Sequence, residues 1–248
     1  MESPVRLYWL DPRDPTQAFP DPRLAMAEPN GLLAIGGDLS VQRLIRAYSQ
    51  GIFPWYNPDE PILWWSPDPR VVFPLDGSAA PRTIRRLVGR GDYAVTLDRA
   101  FDEVIAACAA PRPKQRGTWL GHEMQRAYRD LHQEGYAHSI EVWRDGVLIG
   151  GLYGLALGRA FFGESMFSRT TGSSKLAIHW IRQQLTHWRF DLFDCQVGSE
   201  HLSLLGATGM PREQFVTHVH LATSRGHRRG RWRFDIPVPS STLHTGNR

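Results

Sequence analysis

A carboxylate set inside an apolar, strand-like run is the feature that most constrains this chain. In Phe161-Phe162-Gly163-Glu164-Ser165-Met166-Phe167-Ser168-Arg169, aromatic residues surround Glu164, and small polar residues follow from Thr170 to Ser174. A glutamate rarely enters apolar surroundings unless its charge has a use there. About 30 residues later, Phe190-Asp191-Leu192-Phe193-Asp194-Cys195-Gln196-Val197 repeats the pattern with Asp194 and Gln196. Strand alternation puts residues two apart on one face. Asp194 and Gln196 are therefore expected to point together, towards Glu164. Two acids and an amide converging in one sheet suit a pocket for a cationic or amine-bearing substrate.

At 248 residues the chain can bury a real core and hold one or two domains. The longest apolar run, Val147 to Gly158, is too short and glycine-rich to span a bilayer. The N-terminus lacks the pattern of a signal peptide. Cys108 and Cys195 form no CxxC, and both are expected to be reduced thiols in cytoplasm. The net charge of +4 is unevenly spread: Arg225, Arg228, Arg229, Arg231, Arg233 and Arg248 face one acid, Asp235, after residue 222. Such a basic tail reads either as a phosphate-seeking arm or as a solvated end.

Along the chain, a proline-rich start gives way to Gly31-Leu32-Leu33-Ala34-Ile35-Gly36-Gly37-Asp38. Asp38 or Ser40 can cap a helix with Val41, Leu44, Ile45 and Tyr48 on its inner face. The proline-studded segment Pro58 to Pro69 reads as a rigid connector and a domain boundary. Helices are expected over Pro81–Val88, from near Asp98, and over Glu123–Gln133. Asp145-Gly146 then turns a hairpin between His138–Trp143 and Val147–Leu157. A third strand over Arg159–Phe167 leads to a long helix capped by Ser173 or Ser174. Strand Asp191–Val197, a short helix near Glu200–Leu205 and a last strand near Gln214–Leu221 follow. That order describes a mixed sheet with packed helices, and it is similar to the acyltransferase-like fold of N-acetyltransferases.

Several motifs fail. Gly163-Glu164-Ser165-Met166-Phe167 lacks the closing glycine of a nucleophile elbow. His122-Glu123 lacks the second histidine of a zincin helix, and the other histidines are scattered, so no metal site is expected. Arg169-Thr170-Thr171-Gly172-Ser173-Ser174 joins a strand to a helix. It reads as a plain helix cap, an RNA-end or phosphate contact, or an incomplete coenzyme A loop. Arg82, Arg85 and Arg86 recur within about one helical turn, which suits a phosphate backbone or a solvated face. Trp55, Trp64, Trp65 and Trp119 fall in loops, where aromatics line pockets, stack on bases or pack between domains. An acetyltransferase and a non-enzymatic RNA-binding module are the rival readings.

The blocks Glu28–Leu39, Gly51–Trp55, Leu63–Arg70, His138–Trp143, Gly163–Ser168 and Asp194–Gln196, in that order, resemble the bacterial leucyl/phenylalanyl-tRNA–protein transferases. The resemblance implies an α+β chain: a small N-terminal domain (1–68, with the proline-rich connector) and an acyltransferase-like, N-acetyltransferase-like domain (69–222) with a mixed sheet; the basic tail (223–248), expected to be flexible, extends beyond the family pattern. It implies a cytoplasmic enzyme without cofactor or metal. Its partners would be leucyl-, phenylalanyl- and, less well, methionyl-tRNA, and proteins with N-terminal Arg or Lys, marked by the transfer for N-degron proteolysis. Glu164, Asp194 and Gln196 match the residues around the reacting amine. Trp55, Trp119, Tyr128, Leu152 and Phe161 match the aminoacyl-adenosine pocket, with Leu152 where the family pattern has methionine. Arg82, Arg85 and Arg86 match the tRNA-contacting helix.

Overall fold

The computed structural model describes residues 7–77, 80–111 and 119–240. The end of the basic tail, with Arg248, lies outside them. The chain is α+β, built on two mixed sheets. Strands β1 (Tyr8–Leu10), β2 (Leu32–Gly36), β3 (Phe53–Pro54) and β4 (Leu63–Trp65) form the first, in the order β1-β2-β4-β3. The second has seven strands: β5 (Arg70–Phe73), β6 (Ala94–Leu97), β7 (Ala137–Arg144), β8 (Val147–Leu157), β9 (Ala160–Ser168), β10 (Leu192–Asp194) and β11 (Thr208–Met210), ordered β11-β5-β10-β9-β8-β7-β6.

Helix α1 (Val41–Ser49) starts at Ser40, whose hydroxyl accepts from the Arg43 N–H. β4 lies within the proline-studded segment read as a connector, because Pro58, Pro61, Pro67 and Pro69 all fall outside its three residues. Helices α2 (Arg82–Val88), α3 (Phe101–Ala109) and α4 (His122–Gln133) precede the hairpin. Asp145 and Gly146 both have positive φ, 50° and 75°, as a tight two-residue hairpin turn requires.

Both faces of the seven-stranded sheet are covered. α3 and α4 pack on one face, sharing a core with α1 and the first sheet through Tyr48, Trp64, Val104, Tyr128 and Phe162. α5 (Ser173–His187) and α2 cover the other, through Ile84, Phe161, Leu176, Ile178 and Phe193. Double coverage explains why β8 is buried from Leu148 to Leu157 instead of alternating.

Two local expectations change. The α5 N-cap is Gly172, at φ 89°, while Ser173 turns its hydroxyl back to the carbonyls of Ile149 and Thr170 at 2.8 Å. The strand expected near Gln214–Leu221 is instead helix α7 (Arg212–Thr223), after the short α6 (Glu200–Leu204). Its buried residues Phe215, Val216, Val219 and Ala222 follow helical spacing, and Pro211 starts it.

The basic segment after α7 runs as a strap along the large sheet. Trp232 is buried between a stacked His138 ring, 3.6 Å away, and the Trp188 and Phe190 rings. Its backbone N–H donates to Asp98 Oδ2 at 2.7 Å, and its indole N–H to Arg228 O at 2.9 Å. Arg228 lies over Trp188 and pairs with Asp235; Arg229 lies over Tyr136 and pairs with Glu134. The Val95 N–H on edge strand β6 donates to Pro239 O. Rings and carboxylates thus hold Arg228 and Arg229, which composition alone assigns to a phosphate-seeking arm or a solvated end.

Candidate active site

β9 and β10 run parallel, and their pairing ends at Asp194 opposite Phe162. β9 continues alone against β8 to Ser168. The sheet splays there, and a cleft opens beyond the end of the parallel pair, as open α/β sheets commonly place their sites. Glu164 is the second residue after the splay, following Gly163. It is the extra residue of a β-bulge, since Tyr153 pairs with Ser165 and Gly154 with Gly163. A bulge re-aims a side chain. Gly154 permits this one, because a Cβ there would sit 2.3 Å from Phe162 O and 2.5 Å from the Phe161 ring.

Two donors hold the part-buried Glu164 carboxyl. Tyr128 OH from α4 donates to Oε2 at 2.6 Å, and Gln196 Nε2 donates to Oε1 at 2.8 Å. Tyr48 OH lies 2.7 Å from Tyr128 OH, which extends the chain of hydroxyls to α1. Burial pushes the Glu164 carboxyl up to about 7. It outweighs the hydrogen bonds from Tyr128, itself backed by Tyr48, and from Gln196, which favour the charged form, and the nearby Asp194 charge pushes the same way. Burial and the Glu164 charge in turn raise the Tyr128 phenol well above its ordinary value.

Asp194 sits differently from the expectation drawn from alternation. β10 ends at Asp194, and Gln196 takes a left-handed φ of 61°, so the two side chains do not share a strand face. Asp194 is fully buried and does not line the cleft. Its oxygens accept a two-pronged pair from Arg70, Nε at 2.8 Å and Nη2 at 2.6 Å, and Oδ1 also accepts the Gln196 N–H at 2.8 Å. Sequence reading missed this role of Arg70, which lies 124 positions away.

The cleft walls come from both sheets. Phe53, Pro54, Trp55 and Trp119 form one side; Leu152, Met166, Ile178, Phe193 and Leu202 form an apolar end; Glu164, Ser165, Cys195 and Gln196 supply polar groups. Trp55, Trp119 and Leu152 thus lie on the cleft, whereas Tyr128 stands behind Glu164. Phe161 points to the α5 face and packs on Phe193 and Trp232. Arg82, Arg85 and Arg86 are exposed on α2, outside the cleft lining, and no ion pair holds them among the described residues. Tyr48, Ile178, Phe193 and Leu202 carry no signal beyond ordinary apolar periodicity, so sequence reading did not select them. Among the described residues, no group of three or more His, Cys, Asp or Glu is placed to hold a metal ion, and no helix is long and apolar enough to cross a membrane.

The pattern of the leucyl/phenylalanyl-tRNA protein transferase family matches residues 72–220, and that of the family's N-terminal domain matches residues 37–68. A leucyl/phenylalanyl-tRNA–protein transferase of Alkalilimnicola ehrlichii is 52% identical over 96% of this chain and 93% of its own. The chain belongs to this transferase family. It is an enzyme, an aminoacyltransferase of the leucyl/phenylalanyl-tRNA–protein kind. Transferases of the same name from Cellvibrio japonicus and Nitrosomonas europaea are 54% and 52% identical, over 84% and 89% of this chain and 87% and 94% of theirs. Among solved structures, that of L-PGS from Bacillus licheniformis aligns with a TM-score of 0.37 at 12% identity, over 67% of this chain and 59% of that one. Glu164, Asp194 and Gln196 fall within the transferase pattern; Arg70 lies between the two patterns, and the strap lies beyond them.

Proposed function

We propose that the cleft transfers leucine or phenylalanine, and methionine less well, from aminoacyl-tRNA to the α-amino group of proteins that begin with Arg or Lys, marking them for N-degron proteolysis. The observation that carries this reading is Glu164, a carboxyl aimed by a bulge into a cleft with an apolar end. The apolar end, formed by Leu152, Met166, Ile178, Phe193 and Leu202, suits an unbranched-at-Cβ side chain. Trp55 and Trp119 suit stacking on the terminal adenine. The order β7-β8-β9-α5-β10 supports an acyltransferase-like, N-acetyltransferase-like second domain.

The substrate ester is already activated, so aminolysis proceeds without ATP. The acceptor nitrogen attacks the ester carbonyl carbon, the C–O bond to the ribose breaks, and a proton passes from the amine to the leaving hydroxyl. An α-amino group has a reference pKa of about 8, so a useful fraction is neutral already. Positioning then supplies the acceleration, which can reach about 7–11 kcal/mol. Gln196 Nε2 is committed to Glu164, which leaves its carbonyl oxygen to accept from the attacking amine. Glu164 faces the acceptor's positive charge, and Asp194 acts by way of Gln196. Arg82, Arg85 and Arg86 contact the tRNA backbone.

The test is transfer of labelled leucine from leucyl-tRNA to peptides with N-terminal Arg or Ala. Transfer to the Arg peptide and little to the Ala peptide is expected; equal transfer to both refutes the acidic acceptor site.

A further inference from the structure

We propose that Arg70 is a positioning residue for the transfer, a buried brace that sets the Gln196 amide against the cleft wall of β3. The inference rests on the transferase reading of the cleft. Arg70 and Asp194 are both wholly buried. The Arg70 fork takes Asp194 with Nε and Nη2, and its remaining arm, Nη1, donates to Gly51 O at 3.0 Å. Phe53 of β3 and Phe215 of α7 place their rings 4.6 Å from the guanidinium carbon. One planar side chain therefore joins four pieces: the turn at Gly51, β3, α7 and the end of β10.

What hangs on each end is chemical. Gly51 and Phe53 lead directly into Pro54 and Trp55, a wall of the cleft. Asp194 accepts the Gln196 N–H and pins that residue in its left-handed conformation. A non-glycine residue holds such a conformation only when its surroundings fix it. From there the Gln196 amide reaches Glu164. Arg70 thus fixes the distance between one cleft wall and the group that orients the amine. A lysine cannot replace the fork, because a single ammonium does not grip two carboxylate oxygens and a carbonyl in one plane.

The experiment is a double-mutant cycle with the full chain, using Arg70→Lys, Gln196→Ala and the double variant. Single-turnover transfer at saturating leucyl-tRNA is read beside tRNA affinity and thermal unfolding. Arg70→Lys is expected to slow transfer about 10- to 100-fold with tRNA affinity unchanged within about threefold. In the Gln196→Ala background the same substitution is expected to cost less than about threefold, because its effect passes through Gln196. Folded Arg70→Lys at the wild-type rate, or losses that multiply in the double variant, overturns the proposal. Should Arg70→Lys not fold at the assay temperature, Arg70→Gln combined with Asp194→Asn strands no buried charge. The shorter glutamine cannot span to Gly51, so transfer slower than that of Asp194→Asn alone, with retained tRNA binding, is expected, and a rate equal to that of Asp194→Asn alone overturns the brace. The cycle requires only a transfer rate and can use any acceptor peptide that reacts. A wild-type enzyme that transfers to no acceptor refutes the transferase reading; one that transfers, with multiplying losses, refutes the brace alone.

Discussion

Glu164 should make this protein less stable as pH rises, and Glu164→Gln should remove that loss. The carboxyl has an ordinary value of 4.5 and is pushed to about 7 in the fold, chiefly by burial. The folded state therefore holds a proton that the unfolded chain has released between those values. The stabilisation is complete below about pH 4.5 and is lost as pH climbs to about 7, after which it stays lost. A shift of roughly 2.5 units corresponds to about 3 kcal/mol at most. The cleft admits solvent to one side of Glu164, so about half of that is the working figure. For a chain of this size each kcal/mol moves Tm by about 2–4 °C. The gap in Tm between Glu164→Gln and the wild type should then widen by about 3–6 °C in favour of the variant from pH 4.5 to pH 8. Glutamine keeps the shape, but one of its two ends now faces the donor from Tyr128 or Gln196, and this constant cost shifts the whole curve without tilting it. Differential scanning fluorimetry across pH, on both proteins in matched buffers, gives the comparison. Parallel curves refute the claim that Glu164 is buried at a cost to the fold.

Three further outcomes follow from the same geometry. Removing Arg82, Arg85 and Arg86 one at a time should weaken tRNA binding and lower the slope of log affinity against log salt by roughly 1 per residue; an unchanged slope places the tRNA elsewhere. Leu152→Ala enlarges the apolar end beside Ile178 and Phe193 and should raise the phenylalanine-to-leucine transfer ratio by about tenfold, since a methylene is worth about 1–3 kcal/mol; competition between the two charged tRNAs measures it. Trp232→Ala should cost about 3–5 kcal/mol and expose residues 224–240 to protease, whereas a loosely attached strap would lose almost nothing.

Glu164 and Gln196 were legible because a polar residue in an aromatic run is costly wherever it sits, whatever the fold. The hairpin was legible from Asp145-Gly146, and α1 and α4 from their apolar stripes. Other features depend on contacts that no local pattern encodes. The Asp194 partner stands 124 positions away, in a segment whose prolines masked both Arg70 and β4. Alternation misplaced Gln196 because β10 stops at Asp194 and the chain turns through positive φ. In α7, Val216 and Val219 favour a strand by propensity, yet the Phe215–Val219–Ala222 stripe packs as a helix against α1 and β9. The strap was read as tail or arm because arginine content describes average solvation and says nothing of rings waiting at Tyr136 and Trp188.

The two acids of the site are treated in opposite ways, and that contrast fits the chemistry. Asp194 is wholly buried and matched by a guanidinium fork, so its charge is spent inside the protein. Glu164 has only neutral donors, Tyr128 and Gln196, and keeps a face towards the cleft. A buried carboxyl without a cation is costly, and the cost falls when a cation arrives. A positively charged acceptor end entering the cleft would supply that cation and lower the Glu164 carboxyl back towards its ordinary range. Acceptor binding and Glu164 ionisation are then linked: below about pH 7 the acceptor must displace a proton to be bound. Acceptor affinity should therefore weaken by up to tenfold for each unit of pH below about 7, a dependence that Glu164→Gln abolishes. Acceptor KM measured from pH 5.5 to pH 8 tests the linkage, and a flat profile for the wild type would exclude Glu164 as the residue that meets the acceptor's charge.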